Sequence, residues 1–299
     1  MRISFLAILV ACIGLSAFAG EPASPAVMNA AAASGMSSDL TLDNFLTEGW
    51  DQSYTPRVRA DGTQDVELRR VTTASLKQEI GLTYEFENDV KSYWERDFHF
   101  VDAQAEMALN RRLSLAVADS YEWINTRARY RNESGMQEAF LGRLQLVETE
   151  HSAYSFHLTV DTPDLGLRIK VTTLNYGLAG WNDLTPFGLP RVGLYYSVSE
   201  SVYLGPPTGS GIRNDLTYAV SLAKTWTGPA GMRDFTTFIE AFANSALDGR
   251  VEGRTNSSLT AGISLPVGKS QTIIVGVVIP TTKPRGYEAA YELQYVFHF

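Results

Sequence analysis

Apolar and polar side chains alternate along most of the chain from about residue 71 to its end. The alternation is clearest in residues 287–299, YEAAYELQYVFHF, in which Tyr, Ala, Leu and Phe occupy every second position. Because successive side chains of a strand point to opposite faces, this stretch predicts a strand with one aromatic face and one largely polar face. In a helix the same residues would place charged groups on all sides.

The same period of two predicts about twelve strands. Most reach the roughly ten residues that a tilted strand needs to cross a bilayer, whereas strands of soluble sandwiches are nearer about five or six. A loss of phase between Val171 and Leu174 predicts a bulge in the sixth strand. The faces of the ninth strand cannot be assigned. The predicted strands are 74–86, 101–110, 113–124, 139–149, 154–161, 167–179, 190–199, 214–226, 235–244, 258–267, 272–280 and 287–299.

Connections of alternating length separate these strands. The longer ones are predicted at 125–138, 200–213 and 245–257, and the shorter ones at 110–112, 150–153 and 268–271. This alternation is typical of transmembrane barrels, whose short turns and long loops lie on opposite sides of the membrane. The connection at 180–189 is an exception, because it is long for the side on which it falls.

The last strand resembles the C-terminal signature of bacterial outer-membrane β-barrels, in which aromatic side chains alternate and the chain ends on Phe. The resemblance implies an all-β, transmembrane up-and-down antiparallel β-barrel of about 12 strands over residues 71–299. It also implies that outer-membrane lipid and lipopolysaccharide surround the barrel and that the barrel-assembly machinery reads the final strand. The residues that would carry this assembly signal are Tyr291, Leu293, Tyr295, Phe297 and Phe299.

Residues 1–19 have the features of a cleaved export signal. Arg2 supplies a positive charge, residues 3–15 are largely apolar, and Ala17 and Ala19 precede a cleavage point. The alternatives are an uncleaved anchor, for which the apolar run is short, and a lipoprotein signal that ends at Cys12. Residues 20–70 then form a periplasmic leader. Its amphipathic segment 39–52 either caps or plugs the periplasmic mouth of the barrel or is a loosely packed lead-in.

Composition narrows the classes of partner and cofactor. A formal net charge of -8 argues against nucleic acid, which requires a basic surface. Cys12 is the only cysteine and lies in the signal, so the cleaved chain has neither a disulfide nor a thiolate metal site. The four histidines show no spacing typical of a metal site, and no motif indicates a cofactor.

Closure of the barrel would bring the twelfth strand beside the first and sort the inward charges into two walls. Strands 12, 1, 2 and 3 are predicted to carry an acidic wall, interrupted by Lys77, and strands 4 to 6 a basic wall. One interpretation is a water-filled channel for small solutes with a transverse field across it. The alternative is a closed, salt-bridged barrel with a structural or loop-display role. The candidate selectivity residues are Lys77, Glu79, Glu85, Asp102, Glu106, Glu122, Arg143, His157, Arg168, Lys170, Glu288 and Glu292.

A lipid-modifying enzyme of the outer membrane is the remaining alternative. Such enzymes carry a histidine and a serine together on the lipid-facing wall. Here His151 and Ser152 fall in a predicted turn, and His157 faces inward with Thr159. The sequence therefore predicts no outward nucleophile and base with an orienting group, and it favours a protein that is not an enzyme.

Overall fold

The computed structural model describes residues 38–55, 70–90, 96–126, 133–163, 171–205, 212–229, 233–283 and 287–299. Helical structure in these ranges consists of two 3-10 turns, Thr185–Phe187 and Gly249–Val251, and neither is long and apolar enough to cross a membrane. The strands are β1 (Gln78–Val90), β2 (Arg96–Ala108), β3 (Leu113–Thr126), β4 (Glu133–Glu148), β5 (Ser152–Asp161), β6 (Thr172–Asp183), β7 (Val192–Leu204), β8 (Asn214–Trp226), β9 (Phe235–Ala246), β10 (Thr255–Val267), β11 (Gln271–Pro280) and β12 (Ala289–His298).

These strands close into one antiparallel barrel. Each strand pairs with its neighbours in sequence, and β1 pairs with β12 from Glu79 opposite His298 to Asn88 opposite Ala289. Closure gives both terminal strands a partner on each side, so that none of the described strands is left as an edge. The predicted all-β, up-and-down barrel of about twelve strands is confirmed.

The outer face of the barrel is apolar, and much of the inner face is polar. Ile239 of β9 is 64% exposed, while the next residue, Glu240, is fully buried. Leu293 of β12 is likewise 49% exposed beside Glu292, which is 5% exposed. An outer wall of this kind suits lipid rather than water. The predicted aromatic face of the last strand is the outer one, with exposed side chains at Tyr291, Leu293, Tyr295, Phe297 and Phe299.

The connections differ between the two ends of the barrel. Three at one end are tight, namely 109–112, 149–151 and 268–270. This short-turn end also holds the start of β1 and the end of β12. At the opposite, long-loop end, the loop predicted at 125–138 is shorter than expected, because β3 continues to Thr126 and β4 begins at Glu133. The long connection predicted at 180–189 lies at 184–191 in the structure, because β6 continues to Asp183 and β7 begins at Val192.

The prediction that the first strand begins at residue 74 is wrong. β1 begins at Gln78, and Ala74 and Leu76 lie inside the barrel, 1% and 3% exposed, instead of on its outer face. Their alternation with Ser75 and Lys77 has the period of a strand. Ala74, together with Val71, packs against an apolar part of the inner wall.

The bulge predicted in the sixth strand is also wrong. β6 begins at Thr172 and keeps a continuous register with both β5 and β7. The change of phase therefore marks the start of the strand, not an irregularity within it. A register shift does occur between Gln145 and Val147 of β4, opposite β5.

Two segments that precede β1 pack against the barrel. Residues 38–55, the rim segment, lie at the short-turn end, where Leu40 and Glu148 exchange two backbone hydrogen bonds of 2.9 Å. Residues 70–77, the lumen segment, lie inside the barrel, where Val71 and Ala74 are buried. The predicted export signal, with Ala17 and Ala19, lies outside the described residues. Inward side chains that form one apolar cluster with the lumen segment include Trp181, Tyr195, Phe238, Ile274 and Val296.

Candidate functional site in the barrel lumen

Most of the predicted selectivity residues lie on the inner face of the wall. Strand alternation places them there, because the intervening side chains are the exposed apolar ones of the outer face. The structure thus gathers acidic, basic and imidazole groups in one enclosed space. The predicted residues that are more than nine-tenths buried are Glu79, Glu85, Glu106, Arg143, His157 and Glu292.

The other predicted residues lie towards the two ends or outside the described chain. Asp102 and Glu122 are on the inner faces of β2 and β3, nearer the long-loop end, and Ser120 donates a 3.0 Å hydrogen bond to Asp102. Glu288 is exposed just before β12. Lys77 ends the lumen segment. Arg168 and Lys170 lie outside the described residues.

A first ion-pair group lies at the short-turn end of the lumen. The Lys77 ammonium is 3.0 Å from Oε1 of Glu79, and Nδ1 of His298 is 3.4 Å from Oε2 of the same carboxylate. Glu79 and His298 face each other in the β1–β12 register. This group therefore joins the end of the lumen segment to the seam at which the barrel closes.

The second group joins Glu106 and Arg143, which had been predicted on opposing walls. Nη2 of Arg143 is 3.4 Å from Oε2 of Glu106, and Ser114 of the intervening strand donates a 2.6 Å hydrogen bond to Oε1. The two charges are thus neighbours across β3, so the predicted transverse separation fails at this pair. His157 lies directly beside Arg143 in the β4–β5 register.

A third group, which the sequence did not predict, surrounds Arg70. Its Nη2 lies 2.9 Å from Glu85 and 3.0 Å from Glu292, two carboxylates that pair across the β1–β12 seam. The backbone N–H of Arg70 donates to the Glu240 carboxylate at 3.3 and 3.4 Å, and that of Val71 donates at 3.4 Å. Glu240 was missed because the faces of the ninth strand were unassigned, and Arg70 because it precedes the first predicted strand.

The lumen segment contacts the wall on all sides. Arg70 binds β1 and β12, and the backbone N–H of Thr72 donates to the Ser197 hydroxyl of β7, which lies across the barrel from β1, at 3.3 Å. On a third side, Nη1 of Arg143 in β4 donates to the Ser75 carbonyl at 2.6 Å and to the Thr73 hydroxyl at 3.3 Å. The segment therefore fills the lumen from about the middle of β1 to the short-turn end.

The outer half of the lumen, towards the long-loop end, is hydrophilic and acidic. Asn175 donates a 3.0 Å hydrogen bond to Ser201, Asn244 donates to Thr217 at 3.0 Å, and the Tyr203 hydroxyl donates to Asp215 at 2.6 Å. Strand alternation places further carboxylates on the same inner surface. The carboxylates of this acidic half are Glu87, Asp102, Glu122, Asp161 and Asp215.

The histidines of the described chain are held in separate places. His99 stacks on Trp123 outside the barrel at 4.8 Å and contacts the Tyr84 hydroxyl at 2.9 Å. His151 lies at the short-turn end with Nδ1 3.1 Å from Asp183. Neither of these ring contacts is with a serine. The residues that the structure describes also contain no group of three or more His, Cys, Asp or Glu side chains placed to hold a metal ion.

Solved structures with a similar fold include an outer membrane channel, a porin and the β domain of an autotransporter. An outer membrane channel from Pseudomonas putida F1 has a TM-score of 0.53 and 10% identity, over 79% of this chain and all (100%) of its own. The KdgM porin has a TM-score of 0.50 and 10% identity, over 73% and 99% of the two chains. The β domain of the Bordetella autotransporter BrkA has a TM-score of 0.50 and 9% identity, over 74% and 98%.

Such low identities establish the fold alone. No protein-family model matches the sequence, and no curated protein matches it. The closed twelve-stranded barrel with a lipid-type outer face agrees with these structures in architecture. The chain therefore has the fold of the outer-membrane β-barrels.

Proposed function

We propose that the protein is a channel for the passive passage of small hydrophilic solutes across the outer membrane, and that the lumen segment closes it in the conformation described. The observation that carries the proposal is the hydrophilic part of the inner face on β12 and β1 to β5, which continues from the ion pairs at the short-turn end to the acidic outer half. A passage for polar solutes requires such a lining. Two of the structurally similar proteins are themselves named a porin and a channel.

The lumen segment is compatible with a passage because it is not part of the barrel wall. It forms no strand, and the ladder of β1 with β2 and β12 is complete without it. Its withdrawal would break side-chain contacts and a few backbone hydrogen bonds but would leave every strand pairing intact. An open lumen is therefore reached without unfolding the barrel.

Selectivity is assigned to the charged groups of the inner wall. Glu79, Glu85, Glu106 and Glu292 favour cations, while Arg143 moderates this preference beside Glu106. Asp102 and Glu122 would attract cations at the outer entrance, because a charged cleft concentrates counter-ions. We assign supporting positions to Lys77, His157, Arg168, Lys170 and Glu288. Catalysis has no part in this proposal.

The test is single-channel conductance of the refolded protein in a planar bilayer, with reversal potentials in a salt gradient. The wild type is compared with a variant in which residues 71–76 are replaced by a Gly/Ser linker of equal length. We expect discrete ohmic steps that are rarer in the wild type. The double variant Glu79→Gln/Glu106→Gln should then shift ion preference towards anions, and Glu252→Gln, in an exposed outer turn, should not.

A closed structural or loop-display barrel is the second candidate, and the filled lumen favours it. The two candidates differ in the linker variant. If that variant is a folded, heat-modifiable barrel and still conducts no ions, the channel is excluded and the structural barrel takes its place.

A further inference from the structure

Glu85, Glu240 and Glu292 form a cage of three carboxylates around the first residue of the lumen segment. They lie on β1, β9 and β12, and each is at least nine-tenths buried. Glu85 and Glu292 are direct partners in the β1–β12 ladder, and Glu240 lies three strands further round the wall. Because rigid strands position all three, the cage is built into the wall independently of the lumen segment.

Two carboxylates of the cage, Glu85 and Glu292, already bind the guanidinium group of Arg70, and Glu240 accepts from the backbone N–H groups of Arg70 and Val71. A single nitrogen, Nη2, reaches both carboxylates of the seam at 2.9 and 3.0 Å. The guanidinium carbon also lies 5.9 Å from the ring centre of Phe242, within range of a cation–π contact. Charge-assisted hydrogen bonds away from bulk water, together with an aromatic face, are the features that recognise a guanidinium or primary ammonium group.

The occupant of this cage can leave without disrupting the wall. Arg70 belongs to a segment outside the ladder, and its side chain is held by the seam carboxylates and the Phe242 ring. A solute that carries the same group would compete with Arg70 for the same partners. Entry from the long-loop end would lead such a solute along the acidic outer half of the lumen.

We propose that the cage is the cation-binding site of the channel, selective for guanidinium and primary ammonium groups, and that Arg70 is its internal occupant in the closed state. A solute with such a group displaces Arg70, and the lumen segment then leaves the passage. This inference rests on the proposed channel function and adds to it a class of solute and a means of opening.

Two readouts test the inference, and one does not depend on conduction. The probe is methylguanidinium, and the control is tetramethylammonium at equal ionic strength, which has the charge but no N–H donor. The first readout is open probability in the planar bilayer. The second is the rate at which a water-soluble thiol reagent labels Thr72→Cys. That cysteine is the only one in protein refolded from residue 20, because Cys12 is the chain's only native cysteine.

We expect methylguanidinium to increase both open probability and labelling by at least about tenfold over tetramethylammonium, the change that corresponds to the loss of one charge-assisted contact. Arg70→Gln should be open and quickly labelled without any probe. Arg70→Lys should remain closed and responsive, because an ammonium group can occupy the same cage. Heat modifiability on gels establishes that each variant is folded.

The outcomes separate this inference from the channel proposal. If channels open in Arg70→Gln but the two cations act alike on the wild type, the channel stands and the cage proposal is overturned. If methylguanidinium accelerates labelling while no variant conducts, the cage binds cations and the channel proposal fails. If the cysteine is labelled equally slowly in the wild-type background and in a folded Arg70→Gln variant, Arg70 is not the residue that holds the lumen segment in place.

Discussion

Arg112 fastens the rim segment to the barrel, and its replacement is the sharpest test of how the two are joined. The residue lies in the tight β2–β3 turn and is fully buried. Its Nε donates to the Glu48 carbonyl at 2.9 Å, Nη1 to the Leu146 carbonyl at 2.8 Å, and Nη2 to the Asn44 side-chain oxygen at 2.9 Å. The Phe45 ring centre lies 5.0 Å from the guanidinium carbon.

Arg112→Lys keeps the positive charge but loses the planar fork that reaches both sides of the interface. An ammonium group cannot donate in all of these directions, so at least one of the rim contacts is lost. Each hydrogen bond to a charged group contributes about 1.5–3 kcal/mol, so the loss of one predicts docking that is weaker by about 1.5–3 kcal/mol. After the rim segment has undocked, its carbonyl groups are hydrated again. The substitution therefore weakens docking by no more than the free energy of docking itself.

Hydrogen exchange of the Leu40 amide measures this docking, because the amide donates to the Glu148 carbonyl across the interface. A loss of about 1.5–3 kcal/mol predicts exchange faster by roughly 10- to 150-fold, while the amides of β2 and β3 keep their protection. Arg213→Lys, in an exposed outer loop, is the control and should change neither. Unchanged exchange at Leu40, or equal loss of protection in the strands, would refute the reasoning.

Two further predictions concern the wall and one outer loop. Gly177→Ala should lower unfolding free energy by about 1–3 kcal/mol, because a methyl group there meets the Val198 carbonyl oxygen and comes within 2.6 Å of Ser199 Cβ. Gly142→Ala, whose nearest neighbour is 3.8 Å away, should change it much less in the same denaturant titration. Backbone N–H donation by Arg213, followed by that of Asn214, holds the pKa of Asp248 below its usual range. This stabilisation is therefore present above the ordinary pKa of an aspartate and lost as pH falls through the lower, folded value. In the wild type, hydrogen-exchange protection of the Arg213 amide should fall as the pH drops through the folded pKa of Asp248. In Asp248→Ala this protection should be absent at every pH. Equal protection of the two proteins at neutral pH would contradict the prediction.

The wall of the barrel was predictable because strand pairing and lipid both impose a period of two. In β8, the exposed side chains of Tyr218, Val220 and Leu222 are the ones that the alternation assigned to the apolar face. The predicted short turns also agree with the structure to within a residue or two. Strand ends at the long-loop end were less predictable, because the strands continue into polar sequence there.

The contents of the lumen were not predictable in the same way. The pairing of inward charges depends on the stagger between neighbouring strands and on the segment that enters the barrel. Neither of these leaves a repeating pattern in the sequence. Glu106 and Arg143 had been separated by counting walls, yet Ser114 between them lets the two charges meet across one strand. The sequence predicts no role for Arg70, because nothing within residues 70–77 distinguishes a segment inside the lumen from a first strand of the wall.

One signal for the lumen segment was nevertheless present. Tyr195 lies on the inner face of β7, among Gly and Ser residues, and Trp181 and Phe238 have the same inward orientation in β6 and β9. Large aromatic groups on the inner face of a water-filled barrel would lose hydrophobic stabilisation of about 25 cal/mol for each Å² left in water. Such positions therefore indicate that something covers them. Here Val71 and Ala74 cover the aromatic side chains, so burial of these side chains favours the closed state. A solute that displaces Arg70 must therefore bind Glu85 and Glu292 more favourably than Arg70 does.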